Sequence, residues 1–153
     1  GVQVRFKKTN FILYGSVDDI WLDTKNNSLI LVDYKSQANE NKVSQETYWN
    51  GDFKKGYQRQ LDFYFYLLKQ QNFKETISDD AYLLVVNARG LDEIFDKKLL
   101  FESTLIHTKV KDENLEEEIQ EMIDVFNSDK VPESNKLCKN CAYARQRSVI
   151  DKL

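Results

Sequence analysis

The chain has 153 residues, 41% of them hydrophobic and 31% charged, with a formal net charge of −3. That length suits one domain over residues 1–153, able to bury about two-thirds of its unfolded surface. The sequence holds no signal-peptide pattern and no run of ~18 apolar residues, which excludes a helical membrane span and leads to the expectation of a cytoplasmic protein; two cysteines at C-x-x-C spacing do not make a secreted disulfide framework.

Residues 2–6 (VQVRF) read as a strand on which the chain enters. Residues 10–22 carry a β-branched and aromatic pattern, residues 28–36 are a run of Leu, Ile, Val and Tyr, and Asp23-Thr24-Lys25-Asn26-Asn27 between them is turn chemistry, so the segment reads as a hairpin. Alternation along its second strand puts Asp33 and Lys35 on one face and Val32 and Tyr34 on the other. Directly opposed residues of an antiparallel pair share a face and have numbers of constant sum, so the loop decides where Asp18 falls. A turn at Lys25-Asn26 sets Asp18 opposite Asp33, and a turn at Asn26-Asn27 sets it opposite Lys35. An odd-length loop sets it opposite Tyr34 instead.

Two carboxylates and a lysine on one face suit a magnesium-dependent phosphodiesterase. Mg²⁺ takes one or two carboxylates and keeps waters and phosphate oxygens in its other positions. Asp18 and Asp33 can supply the pair, with the backbone carbonyl of Tyr34 as a third ligand. A bound metal acidifies its water and polarises the scissile phosphate. Lys35 would stand beside both, where it could orient or help generate the hydroxide and, when charged, stabilise the transition state.

The spacing of Phe53, Tyr57, Leu61, Phe65 and Leu68 predicts an amphipathic helix over 50–71, on which Gln60 and Tyr64 share a face. Lys54, Lys55 and Arg59 cluster at its start among Tyr57, Phe63 and Tyr64, and aromatics beside cations can stack on bases and meet phosphates. Residues 80–87 and 99–110 read as further strands, and Leu115, Ile119, Met122, Ile123 and Phe126 stripe a helix over 112–127. Residues 112–124 hold seven acids and no base, so the rest of the chain nets +4 and the overall charge does not argue against a nucleic-acid partner. The single histidine, His107, and the two tryptophans, Trp21 and Trp49, read as packing residues, and the polar segment 37–50 as a loop beside Lys35.

The order Gly15-x-Val17-Asp18, then Asp33-x-Lys35-Ser36, then Tyr57-x-x-Gln60-Leu61-x-x-Tyr64 resembles the PD-(D/E)XK nuclease superfamily, specifically its RecB-like branch. The resemblance implies an α/β, restriction-endonuclease-like core, a mixed central sheet flanked by helices. It implies a Mg²⁺- or Mn²⁺-dependent DNA nuclease, exonuclease-like, with Asp18, Asp33 and Lys35 catalytic and Gln60 and Tyr64 against the substrate strand. Tyr57, Arg59 and Ser36 join these as candidate DNA contacts. DNA is the expected partner, with a helicase or other domains of a larger polypeptide beside it. The family's first helix, which contributes a further acidic residue or histidine, is expected to be missing. A second reading therefore stays open, a nuclease-fold module that binds DNA or a partner protein without cutting. Cys138-Lys139-Asn140-Cys141 resembles the tail that holds an iron–sulfur cluster in such nucleases, but two cysteines are too few for a cluster, so free thiols or a degenerate cluster motif are expected.

Overall fold

The structure is a computed structural model that describes residues 1–51, 53–89 and 100–150. The first strands, β1 (Val2–Arg5) and β2 (Ile12–Gly15), form an antiparallel pair in which Val2 faces Gly15. A four-stranded sheet follows, built from β3 (Asp19–Asp23), β4 (Ser28–Ala38), β5 (Thr76–Arg89) and β6 (Leu100–Lys109) in that spatial order. The β3–β4 and β5–β6 pairs are antiparallel, while β4 and β5 run parallel. A parallel pair needs a long crossover, and α1 (Gln45–Tyr48) and α2 (Lys54–Lys69) lie within it.

On α2 the i, i+4, i+7 series Leu61, Phe65 and Leu68 is buried in one cluster with Leu31 of β4, Ala81, Leu83 and Val85 of β5, and Ile106 of β6. Fully burying each such side chain contributes roughly 1.5–3 kcal/mol. The odd-numbered residues of β4 face this cluster, and with them Asp33 and Lys35. The chain divides into two compact units, residues 1–115 and the remainder from Glu116. The second holds most of α3 (Leu115–Phe126) and α4 (Lys139–Ile150). Among the described residues no helix is long and apolar enough to cross a membrane.

The β3–β4 loop decides between the turn alternatives. It is Thr24 to Asn27, an even length centred on Lys25-Asn26, and it pairs Asp19 with Val32 and Asp23 with Ser28. Asp23 closes it by accepting the Lys25 N–H at 2.9 Å and the Asn26 side-chain amide at 2.7 Å, and Asn27 takes the left-handed conformation at φ 49°.

Several expectations are corrected. Residues 10–22 are two strands in two sheets, parted at Ser16–Asp18. The helix starts four residues late, leaving Phe53 90% exposed ahead of it. Segment 37–50 is not one loop: β4 continues to Ala38, and the single turn of α1 buries Tyr48. On α3 the buried residues are Leu115, Ile119 and Ile123, while Met122 and Phe126 are exposed. Cys138 and Cys141 are joined as a disulfide rather than free, because the helical backbone entering α4 brings their Cα atoms to 5.3 Å, within disulfide range.

Candidate active site

The odd-numbered face of β4 carries Asp33 and Lys35 under α2. Asp33 is 1% exposed, and its buried Oδ2 accepts no aligned hydrogen bond among the described residues. The Lys35 ammonium stands 2.5 Å from it as a charge contact rather than an aligned hydrogen bond. Burial raises the Asp33 carboxyl above its ordinary value; Lys35 opposes the shift, and the Asp18 carboxylate beside it adds to it. The exposed Asp18 ends the hairpin: its Oδ2 accepts the Tyr34 N–H at 2.9 Å. The N–H and C=O of one strand residue point to the same edge, so the Tyr34 carbonyl is directed towards Asp18, where β3 has ended.

The next residue, Asp19, belongs to the other face. Its carboxylate accepts the Tyr34 hydroxyl at 2.5 Å, the Trp21 indole at 3.0 Å and the Ile20 N–H at 2.8 Å, and these hold it below the usual carboxylate range. Adjacent aspartates thus do different work. Asp19 pins the hairpin, and Asp18 is left to face Asp33.

Lys35 donates to Gln60 Oε1 at 2.7 Å, and Gln60 Nε2 donates to the Tyr64 hydroxyl at 3.0 Å. Tyr64 is packed against Gly15, where a Cβ would come within 2.8 Å of its ring and 2.7 Å of Leu67. The Tyr57 ring lies 4.7 Å from the Lys35 ammonium and 5.1 Å from that of Lys54. One connected array therefore runs from Asp18 and Asp33 through Lys35 to Gln60, Tyr64 and Tyr57. Arg59 is exposed on α2. Ser36 is exposed on the Tyr34 face, so strand alternation separates it from Asp33 and Lys35.

Three neighbours went unassigned in the sequence. Gln37, two residues beyond Lys35 and so on its face, accepts from Lys54 Nζ at 3.3 Å and reaches the buried Asn87 at 3.4 Å. Asn87 in turn donates to the Asn39 carbonyl at 3.0 Å, holding the segment after β4. Tyr48 is 6% exposed and its hydroxyl has no partner among the described residues. Burial, with Tyr57 and Asp33 nearby, pushes that hydroxyl up to about 12. Strand parity could have found Gln37. His107 Nε2 and Asp80 Oδ1 share a hydrogen bond at 2.6 Å on the β5–β6 pair, and the histidine is exposed rather than packed.

Among the described residues no cluster of three or more His, Cys, Asp and Glu side chains occurs. The donor set is instead two carboxylates, one of them buried and paired with Lys35, and a backbone carbonyl. That fits a hard cation which fills its remaining positions with water and phosphate, and it does not fit a tetrahedral zinc centre.

A mixed sheet flanked by helices, with an acid-and-lysine cluster on its central strand, defines a restriction-endonuclease-like α/β protein. The chain matches the family model of the PD-(D/E)XK nuclease superfamily over residues 1–146 and belongs to that superfamily. No curated protein and no solved structure matches it. Membership points to nuclease chemistry on DNA, and its members generally use divalent metals.

Proposed function

We propose that the chain is a RecB-like, Mg²⁺- or Mn²⁺-dependent deoxyribonuclease with exonuclease-like action, of the kind used in recombination, repair or defence against mobile elements. The observation that carries this reading is the buried Asp33 carboxylate, ion-paired with Lys35 at 2.5 Å and set beside the Asp18 carboxylate. One ammonium there faces two neighbouring carboxylates, and the like charge of Asp18 beside Asp33 favours a further cation. Asp18, Asp33 and the Tyr34 carbonyl would hold the metal, which supplies an activated water and a polarised phosphate.

The chain's own residues do the rest. Lys35, steered by Gln60, presents its ammonium at the attacking water and at the charge that develops on the phosphate. Gln60, Tyr64 and Tyr57 line the α2 side of that position, with Arg59 and Ser36 as outlying DNA contacts. A helicase or companion domain would deliver the strand.

Purified chain incubated with linear DNA and Mg²⁺ or Mn²⁺ tests the proposal. Cleavage is expected, with Lys35→Ala reducing it by about 10²–10⁴-fold, the range for a positioned acid–base group, while DNA binding persists. Undiminished cleavage by Lys35→Ala would reject the catalytic role. DNA binding without metal-dependent cleavage would favour the binding module, a reading that the two-carboxylate donor set also accommodates.

A further inference from the structure

Beside the acid-and-lysine cluster, between the end of β4, the segment after it, α1 and the first turn of α2, lies a cleft of about 260 Å³. That is just below the ~300–1,000 Å³ of small-ligand pockets, room for one nucleoside rather than a longer segment. Its walls include Gln37, Ser44, Thr47, Tyr48 and two lysines, the exposed Lys42 and the half-buried Lys54, and no carboxylate is among its described lining residues. In a chain with 25 acids that lining favours an anion.

Lys54 is the residue to explain. Its ammonium stands 3.9 Å from the centroid of the Tyr48 ring, and among the described residues its hydrogen-bond partner is the neutral Gln37 Oε1. Partial burial lowers its pKa with no carboxylate among the causes. A half-buried ammonium held by an amide and two aromatic faces keeps capacity for an anion. A second observation comes from Tyr48, which lines the same wall and whose hydroxyl, near Tyr57 and Asp33, is buried with no partner among the described residues. The cleft adjoins the candidate active site, because Lys54 and Lys35 share the Tyr57 ring and Gln37 follows Lys35 on one strand face.

We infer that this cleft receives the nucleotide adjoining the scissile phosphodiester, with Lys54 on that nucleotide's own phosphate and the neutral amides and hydroxyls of the wall on its sugar and base. The inference rests on the nuclease reading and adds a subsite to it. The half-buried Lys54 meets one phosphate, while Lys42, the other cation of the lining, stands exposed. A neutral wall then follows the uncharged part of the unit.

The test is binding of a short fluorescent oligodeoxynucleotide, followed by anisotropy with Ca²⁺ replacing Mg²⁺, across a salt series. Loss of one phosphate contact should make the log K versus log salt slope shallower by about 0.7–0.9, so Lys54→Gln is expected to show that change and to weaken all sequences alike. Lys54→Arg should restore the slope. A wild-type slope in Lys54→Gln, with cleavage and binding otherwise present, overturns the subsite and leaves the nuclease reading standing. Weaker binding at an unchanged slope also overturns it, since that is what a purely structural lysine would give. Failure of the unmutated chain to bind or cut DNA overturns both.

Discussion

At Asp33 the folded chain holds a carboxyl whose ionised form it stabilises poorly, because burial outweighs the help of Lys35 and Asp18 adds a like charge. The sign follows from linkage. A carboxyl raised in the folded state favours folding while protonated, so its contribution falls as pH rises from the unfolded value through the folded one. Metal-free Asp33→Asn should therefore melt above the wild type at neutral pH, with the gap closing in acid, while cleavage drops by at least about 10²-fold. Saturating Mn²⁺ should stabilise the wild type by about 2.7 kcal/mol at a hundred times its Kd and leave the variant unmoved. Melting curves with and without metal check this, and a variant less stable than wild type would show that Lys35 outweighs burial. Gln60 is separable from Lys35 by kinetics. If it acts through the 2.7 Å bond to Lys35, Gln60→Ala lowers kcat with KM nearly constant, and adding it to Lys35→Ala costs little more. A rise confined to KM would make it a substrate contact alone.

The elements show why the array is held. Gly15 lets the end of β2 approach α2, and an added Cβ would press on the fully buried Leu67 and on the Tyr64 ring. Gly15→Ala should cost about 1–3 kcal/mol, as overpacking does, and should lower cleavage further by loosening Tyr64 from Gln60; urea unfolding beside an activity assay measures both. Much of this arrangement was legible in the sequence. The period of two on β4 placed Asp33 and Lys35 together, and one of the two even-length turns considered set Asp18 against Asp33. The rest depended on tertiary packing. Residues 10–22 look uniformly strand-like, and only the pairing of β2 with β1 parts them from β3. Tyr48 sits in a polar stretch with no period, so nothing local announces its burial. Phe53 keeps helical spacing with Tyr57 but precedes the first helical turn, so its periodicity carries no burial.

Across the whole molecule, charge is unevenly distributed along the chain, with seven acids and no base in residues 112–124. The first turn of α3 places Glu116, Glu117 and Glu118 at its N-terminus, where acids complement the helix dipole by about 0.3–1 kcal/mol each at low salt. The same three charges weigh against DNA, since neutralising them would take the chain from −3 to 0. The two effects oppose each other and respond to different variables. A triple Glu→Gln variant at 116, 117 and 118 should melt lower in every buffer of low ionic strength, DNA present or not. Its DNA affinity should exceed that of the wild type at about 0.05 M salt and converge on it near 1 M, where the Debye length is about 3 Å. Parallel melting and anisotropy series across that range measure both. An unchanged affinity at low salt would mean that the α3 acids lie outside the field the DNA experiences, and that binding is governed by the cations around Lys35 and Lys54 alone.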